Sequence, residues 1–429
     1  MKKLRSFLTV LIFTMSGWVL PAGAQEWQIV PLAPGSPDGV KEYGMRENRP
    51  FPISTAIDGQ NIPDVTCGSN DQFLVVWNDF SNAEEDQNGR IYFDISGALV
   101  SSEYGVVSDP FCISNQYRPL GAYNRAATAY NEDYDEFLVC WMDQDHVFGQ
   151  RLSSEGYLIG ENFVIGACSS GFITVTYNSL DVNYLVTYPV RNEGLTGVII
   201  GPEGESTGAS FAISREGSAQ QAVFNSDTNE FMLVYAVAVT SIRMRAVAAS
   251  GKLAQEIVVS DAMFMQYCPT VAYNAYLREY LVVWYDERHW ESYCSEFYAR
   301  SFDLDGQATS EEYLLIGGEV DLLHAPHLAY DPNACGYVLV WARQYDYVNF
   351  EFEILVQRLD CMGQIAGDVM NLRKGGIRHQ NGARVAFNPD SDRYLTVFEQ
   401  SMGLFDDGAD ICGQFLGTVS SLPLGSGQR

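Results

Sequence analysis

The sequence predicts an all-β protein, a seven-bladed β-propeller of four-stranded antiparallel blades. Three observations predict it. A strand that ends on an aromatic residue recurs seven times, each copy stands in a unit of about 40 to 60 residues, and no stretch has the periodicity of an amphipathic helix. Such units bury their apolar faces against neighbouring units, which favours a closed ring. An open stack of hairpins or two sandwiches would not explain the uniform period.

The composition is that of a globular chain. Of the 429 residues, 47% are hydrophobic and 19% charged, which excludes disorder, collagen and a coiled coil. Lys and Arg number 26 against 54 Asp and Glu, so the net charge is -28. A surface this acidic repels nucleic acid and anionic membranes, and we expect neither as a partner.

Residues 1–24 have the pattern of a secretory signal peptide. A basic start precedes an apolar run over 7–20, and small residues stand at 22 and 24. The run is short for a bilayer span of about 20 residues, so we expect cleavage after Ala24 rather than an uncleaved anchor. The sequence therefore predicts export to the periplasm or the extracellular space without membrane insertion, and a single propeller domain over 25–429.

The second strand of each predicted blade is a continuous apolar run. The runs end 47 to 64 residues apart, at Trp77, Trp141, Tyr188, Tyr235, Trp284, Trp341 and Phe398. Before six of them stands a first strand followed by a turn rich in Asn, Asp, Pro and Gly, residues that favour tight hairpins. The predicted blades span 60–115, 116–168, 169–215, 216–262, 263–320, 321–376 and 377–420.

The two ends of the chain fit a closed ring. The seventh unit ends after its third strand, over 411–416, and an extra strand is predicted over 27–32, ahead of the first unit. This N-terminal strand would complete the last blade and remove its open edge.

Nine cysteines occur in a chain predicted to reach an oxidising compartment, and none forms a CxxC motif. Cys335 and Cys361 lie in two turns at the same end of one predicted blade. Cys268 and Cys294 share the opposite end of another. We predict both pairs as disulfides. The pairing of the other five cysteines is left open. They are Cys67, Cys112, Cys140, Cys168 and Cys412.

The phrase YLVVWYD over 280–286 resembles a widespread class of exported bacterial β-propeller repeats, and the turn FDLDG over 302–306 is similar to a turn of that class. The resemblance covers 60–420, although the third and fourth units lack the Trp and the acidic residue after it. It implies a binding or scaffold domain with no common reaction, and a fold alone is a weak guide to function. The motifs of sialidases, WD repeats and kelch blades are absent.

Candidate binding residues follow the second strands, on the face where strands two and three connect. The fifth unit carries Tyr285, Asp286, Arg288, His289 and Trp290 there, and the sixth carries Tyr345. Aromatic rings beside carboxylates suit sugars, peptides and cations. The alternative is that these rings pack on adjoining loops.

Three acidic residues, Asp79, Asp143 and Asp286, stand two positions after a strand-two aromatic. Opposed carboxylates could ligate Ca²⁺ or act as an acid and base pair. The structural alternative is that they cap turns at the strand ends. No nucleophile elbow, phosphate loop or dinucleotide fingerprint occurs in the sequence.

These patterns predict an exported, non-enzymatic propeller that recognises a glycan or a protein partner through its loop face. We expect no cofactor and no metal site, and Ca²⁺ bound by the acidic residues is the alternative. The alternative function is a carbohydrate-active hydrolase or lyase that uses carboxylates at the channel mouth. A third hypothesis is a structural component of the cell surface or an extracellular matrix.

Overall fold

The computed structural model describes residues 50–56, 58–119, 125–143, 145–169, 171–289, 295–317, 323–346, 351–372, 379–401 and 408–417. Within these ranges every regular element is a β-strand. No helix long and apolar enough to span a membrane occurs among the described residues. The predicted fold is confirmed, because the strands form seven four-stranded antiparallel blades.

The strands of the first three blades follow one another in the chain. One strand precedes them, β1 (Phe51–Ser54). Blade 1 comprises β2 (Gln60–Cys67), β3 (Gln72–Glu85), β4 (Ile91–Ser101) and two short outer pieces, β5 (Gly105–Val106) and β6 (Phe111–Cys112). Blade 2 comprises β7 (Ala127–Asn131), β8 (Glu136–Met142), β9 (His146–Ser153) and β10 (Leu158–Ala167). Blade 3 comprises β11 (Thr174–Asn178), β12 (Asn183–Val190), β13 (Gly194–Ile200) and β14 (Phe211–Ser214).

The remaining blades repeat this order. Blade 4 comprises β15 (Gly217–Asn225), β16 (Glu230–Val237), β17 (Ser241–Ala248) and β18 (Ile257–Ser260). Blade 5 comprises β19 (Gln266–Asn274), β20 (Glu279–Asp286), β21 (Glu296–Asp303) and β22 (Tyr313–Ile316). Blade 6 comprises β23 (Leu323–Asp331), β24 (Gly336–Asp346), β25 (Glu351–Leu359) and β26 (Met370–Asn371). Blade 7 comprises β27 (His379–Asn388), β28 (Arg393–Ser401), β29 (Asp410–Gly417) and β1.

The ring closes in blade 7. β1 pairs antiparallel with β29, with Phe51 opposite Gly413. The closing strand comes from the N-terminal part of the chain, as predicted. It is formed by Phe51–Ser54 and not by the predicted residues 27–32. Residues 27–32 lie outside the described residues. Each first strand contacts the first strands of both neighbouring blades, and β2 contacts both β7 and β27. The seven first strands therefore line a central channel.

The apolar runs of the second strands are buried on both of their faces. Trp77, Trp141, Trp284 and Trp341 are at most 1% exposed. Each blade packs on two neighbours, so the core consists of clusters between successive blades rather than one central mass. This burial on two sides explains why the strands read as continuous apolar runs.

Buried Asn and Asp residues close the hairpins between strands one and two. In six blades the side-chain oxygen accepts backbone N–H groups two or three residues further on, at Asn131, Asn178, Asn225, Asn274, Asp331 and Asn388. The Nδ2 groups of Asn225 and Asn274 also donate to tyrosine hydroxyls of the next blade, Tyr280 and Tyr337. One side chain thus closes a turn and joins two blades.

Glycines in the turns between strands three and four have positive φ angles. They are Gly156, Gly204, Gly251, Gly306 and Gly363. A Cβ at Gly204, where φ is 93°, would lie 2.7 Å from the ring of Phe163 in the preceding blade. The left-handed backbone and the close approach of the two blades therefore both require glycine.

We expect Gly204→Ala to lower the free energy of unfolding by about 1–3 kcal/mol, because the new Cβ meets Phe163 and the backbone is strained. Gly208→Ala is the matched control, since a Cβ there would meet nothing within 4 Å. Urea unfolding followed by tryptophan fluorescence measures both variants. Equal midpoints for the two would contradict a tight contact between blades 2 and 3 at this turn.

The disulfide between Cys335 and Cys361 is present in blade 6, as predicted. It joins the turn after β23 to the turn after β25. Cys268 pairs with no described cysteine, and Cys294 lies outside the described residues, so the second disulfide stays a prediction. No disulfide joins the other described cysteines, which are Cys67, Cys112, Cys140, Cys168 and Cys412.

Candidate functional site

The loop face is the side of the propeller on which strands two and three of each blade connect. Among the described second strands, the longest belong to blades 1 and 6, where β3 has 14 residues and β24 has 11, against 8 in β20. The ladders still pair Glu85 with Ile91 and Asp346 with Glu351. Segments that read as polar loops are therefore largely strand, because each polar stretch has a partner strand that satisfies its backbone.

The three acidic residues predicted on the loop face each close a local turn. Asp79, Asp143 and Asp286 accept the backbone N–H of the residue two positions on, at 3.0, 2.7 and 2.8 Å. This is the hydrogen-bond pattern of an Asx turn, which agrees with the structural alternative. Within the described ranges, no three His, Cys, Asp or Glu side chains come together as metal ligands.

Asp286 is fully buried and is the centre of a hydrogen-bond network. Its carboxylate accepts bonds from Gln266 Nε2 at 2.6 Å, Trp284 Nε1 at 2.9 Å and Arg288 Nη2 at 2.7 Å. Burial alone would raise the pKa of Asp286, but these bonds hold it below its usual range. The Arg288 guanidinium also lies 3.7 Å from the centre of the Tyr298 ring. The network stabilises blade 5 and leaves Asp286 little surface for a ligand.

The other predicted binding residues of blades 5 and 6 are not grouped into one described site. Tyr285 is 1% exposed and its hydroxyl donates to Glu287 at 2.6 Å. His289 is 57% exposed and its Nδ1 lies 2.8 Å from Glu296 Oε2. Trp290 lies outside the described residues. Tyr345 lies in β24, and its side chain falls outside the described part of the chain.

An aromatic group on the loop face was missed by the sequence analysis. Tyr117 is 41% exposed, and its ring centre lies 4.7 Å from that of Phe148. The ring of His146, 51% exposed, lies 6.0 Å from the same Phe148 ring. The carbonyl of Tyr117 accepts the indole N–H of buried Trp141 at 2.9 Å, which fixes the loop. Tyr117 stands in a segment without strand character, so nothing in the repeat pattern singled it out.

Arg118 holds the blade 1 hairpin beside this aromatic group. Its Nε donates to Asp94 Oδ1 at 2.7 Å, its Nη2 to the carbonyl of Asn82 at 2.5 Å, and its Nη1 lies 3.2 Å from Glu84 Oε1. A side chain between two blades thus fixes the hairpin. We call Tyr117, Arg118, His146 and Glu84 the blade 1–2 patch.

The first strands share an irregularity where they enter the channel. In five blades the register between strands one and two shifts opposite the strand-two aromatic residue. In blade 1, for example, Asn61 pairs with Asn78 and Asp64 with Val76, so the shift lies opposite Trp77. In four of these the backbone turns left-handed, with φ of 54° at Ile62, 50° at Ala219, 48° at Cys268 and 67° at Gly382. Such conformations are uncommon outside glycine and concentrate at functional sites.

The register places two layers of side chains in the channel. The first layer consists of Ile62, Arg125, Phe172, Ala219, Cys268, Ala325 and Gly382. The second layer lies two residues further along each strand and consists of Asp64, Ala127, Thr174, Gln221, Thr270, His327 and Arg384. Residues of both layers line a cavity of about 180 Å³. A second cavity of about 350 Å³ lies between blades 2 and 3, and Glu193 is the one charged residue among the described residues that line it.

Arg125 is the one charged residue of the first layer. Its guanidinium lies 5.4 Å from the centre of the Phe172 ring. Its Nε is buried and has no hydrogen-bond partner among the described residues. Ala219, Cys268 and Ala325, also on the cavity wall, are small and leave the space open.

The second layer forms hydrogen bonds from blade to blade. A side chain of one blade accepts a backbone N–H of the next, as Asp64 does from Thr128, Gln221 from Val271, Thr270 from Leu328 and His327 from Val385, at 3.1 to 3.4 Å. Arg384 cannot accept such a bond, and its Nε lies 3.9 Å from Asp64 Oδ1. This layer therefore holds the inner wall of the ring together.

Burial shifts the pKa values of the acidic and imidazole groups in the channel wall. It raises the pKa of Asp64 to about 6, although Arg125 opposes the shift. It also raises the pKa of Glu399, whose Oε1 accepts the N–H of Ile62 at 2.7 Å. Burial lowers the pKa of His327 to about 4, so this imidazole is neutral at neutral pH.

Sequence reasoning passed over the channel layers. Arg125 precedes a short strand and looks like an ordinary surface arginine. The signal was present, because aligning the seven units on the strand-two aromatics places Arg125 in a column with Phe172, Ala219, Ala325 and other uncharged residues. A single charge in such a column marks a position that packing does not explain.

Comparisons with known proteins agree on the fold and assign no family. No family model and no curated protein sequence matches the chain. A solved structure of a protein of unknown function from Dyadobacter fermentans is 11% identical, with a TM-score of 0.52, and the match covers 87% of this chain and 99% of that one.

Two protease structures are also similar. The β-propeller domain of the trilobed protease from Pyrococcus furiosus is 8% identical, with a TM-score of 0.47, over 85% of this chain and all of that one. A prolyl endopeptidase is 9% identical, also with a TM-score of 0.47, over 84% of this chain. The match spans 51% of the prolyl endopeptidase. Likeness at these identities concerns the fold, and the class of exported repeats remains a prediction.

Proposed function

We propose that this protein is an exported, non-enzymatic binding protein that recognises a glycan or a protein partner through its loop face. The blade 1–2 patch is the observation that carries the proposal. It combines a half-exposed Tyr117 ring, held by stacking on Phe148, with Arg118 and the exposed carboxylate of Glu84. A rigid aromatic ring beside charged groups suits the C–H face and hydroxyls of a sugar, or a polar protein surface.

Blade 5 supplies a second exposed contact on the same face. The imidazole of His289 is exposed to solvent, and its partner Glu296 is buried. Asp286 and Tyr285 are buried as well. Arg288 and His289 are thus the described members of the predicted blade 5 set that a partner could touch. Asp286 supports them from below through its bonds to Arg288.

The alternative function, a carbohydrate-active hydrolase or lyase, needs two carboxyl groups about 5–10 Å apart that face a bound sugar. The carboxylates of Asp79, Asp143 and Asp286 instead accept backbone N–H groups of their own turns. This arrangement favours binding over catalysis. Release of reducing sugar from a saccharide that binds the protein would support the enzyme.

We expect Tyr117→Ala to abolish saccharide binding while leaving the fold intact. A glycan array followed by thermal shift, with and without Ca²⁺, identifies a saccharide and measures its effect, because a ligand of the native state raises the melting temperature. Tyr276→Ala is the matched control, since Tyr276 is 71% exposed in a hairpin turn on the opposite face. An equal loss of saccharide binding in both variants would contradict binding at the blade 1–2 patch. A shift with Ca²⁺ alone would favour a protein partner.

A further inference from the structure

We propose that the channel cavity binds a small oxyanion, a carboxylate or phosphate group, through the guanidinium of Arg125. This site uses none of the residues of the loop-face proposal. The two proposals can therefore fail separately.

The Arg125 side chain has a donor that no described group accepts. Its Nε is buried without a hydrogen-bond partner among the described residues. A guanidinium presents its donors in one plane that matches a carboxylate or phosphate. The Arg125 guanidinium lies over the Phe172 ring at 5.4 Å, a cation–π contact that favours its position at the cavity wall. A buried donor without an acceptor destabilises the empty site. Arg125 lines the cavity, so an oxyanion that enters it can meet the guanidinium without displacing a described acceptor.

The acidic groups of the channel form hydrogen bonds with partners other than Arg125. Asp64 Oδ2 accepts the N–H of Thr128 at 3.1 Å, and Asp64 Oδ1 lies 3.9 Å from Arg384 Nε. Glu399 Oε1 accepts the N–H of Ile62 at 2.7 Å. Both carboxyls therefore form their hydrogen bonds with groups other than Arg125, and neither accepts a bond from its Nε.

The volume of the cavity limits which ligand can bind beside Arg125. The cavity of about 180 Å³ exists because Ala219, Cys268 and Ala325 are small. Inorganic phosphate or a short carboxylic acid fits this space, and a folded peptide does not. The oxyanion is thus a small molecule or the end of an extended one.

The charges around Arg125 give the site a pH dependence. The groups that face it are Asp64 from β2, Cys268 from β19, His327 from β23, Arg384 from β27 and Glu399 from β28. Burial raises the pKa of the Cys268 thiol to about 12 and lowers that of His327 to about 4, so both stay neutral between pH 5 and 7.5.

Asp64 is the group that changes in this window. Its pKa is raised to about 6, so it loses its negative charge as the pH falls from 7.5 to 5. Burial raises the pKa of Glu399 as well. Two arginines then face less negative charge. Anion affinity should rise as the pH falls.

The test measures melting temperature against sodium acetate and, in a second arm, sodium phosphate, with sodium chloride at matched ionic strength. We expect at least one of the two anions to raise the melting temperature, and the arms distinguish a carboxylate site from a phosphate site. In Arg125→Gln the affinity should fall by about tenfold or more. Arg278→Gln, which removes an exposed arginine 62% accessible to solvent, should bind like the wild type.

Two further variants separate binding from folding. Ala325→Leu keeps Arg125 but fills the cavity, so it should lose the response to the anion even if Arg125→Gln fails to fold. Asp64→Asn keeps an acceptor for Thr128 and removes the charge, so it should bind more tightly at pH 7.5 and lose most of the pH dependence. No response of the wild type up to about 100 mM of either anion, or an unchanged response in Ala325→Leu, would overturn the proposal.

Discussion

Replacing Asn274 with alanine should lower the free energy of unfolding by about 3–5 kcal/mol, more than any exposed asparagine of the chain. The side chain is fully buried, and its Oδ1 accepts the N–H groups of Tyr276 and Leu277 at 3.0 Å each. Its Nδ2 donates to the hydroxyl of Tyr337 in the next blade at 3.0 Å. Alanine would leave these groups without partners, and each buried group left unpaired costs about 1–3 kcal/mol.

The matched control is Asn333→Ala. Asn333 also reaches the next blade, with its Nδ2 3.0 Å from Asp392 Oδ1, but this contact is exposed, so we expect a change within about 0.5 kcal/mol. Asn274→Asp should lie between them, since it keeps the acceptor for the turn and removes the donor to Tyr337. Denaturant unfolding of all three variants is the measurement. Equal losses for Asn274→Ala and Asn333→Ala would contradict the role of burial.

Replacing Arg288 with alanine should have a comparable effect, about 3–5 kcal/mol, because it leaves the buried charge of Asp286 without its ion pair. The bond from Arg288 Nη2 to Asp286 Oδ2 is 2.7 Å, and Asp286 is 0% exposed. Arg278→Ala is the matched control. Its partner Asp227 and its own side chain are 36% and 62% exposed, and surface pairs of this kind contribute about 0–1 kcal/mol.

The same pair gives the expected pH dependence. The folded-state pKa of Asp286 lies below the ordinary pKa of an aspartate, so its stabilising contribution is present above that ordinary pKa and is lost as the pH falls through the folded-state pKa. The difference in unfolding free energy between the wild type and Arg288→Ala should therefore be largest near pH 7 and shrink below about pH 4. A difference that is constant between pH 7 and pH 3 would contradict the ion pair as the cause.

The repeat, the strand-two runs and the disulfide of blade 6 could be predicted because each depends on local pattern. Trp284 ends an apolar run that burial on two sides requires, and Cys335 and Cys361 lie in turns that any four-stranded meander brings to one end. The turn-closing role of Asp79 also follows from its position at a strand end.

The closing strand was harder to predict because it depends on a distant partner. Phe51–Ser54 is four residues long and contains a proline, which reads as a poor strand. It forms because β29 offers an open edge, and an edge position tolerates Pro52.

The channel site was missed for a related reason. Arg125 becomes unusual only when seven first strands meet and its neighbours are Phe172, Ala219 and Ala325. No segment by itself contains that information. Asp286 shows the converse: its sequence position suggested a ligand contact, and its burial under Arg288 gives it a structural role.

The pairing of β1 with β29 also sets how the ring responds to force. In this antiparallel pair the N-terminal end of β1, at Phe51, lies opposite Gly413, towards the C-terminal end of β29. Tension applied through the chain before Phe51 and after Gly417 would load the ladder at one end, and its bonds would break one after another instead of sharing the load. The molecule would open mechanically at blade 7, while the other six blades, which have no strand borrowed from a distant part of the chain, would remain intact.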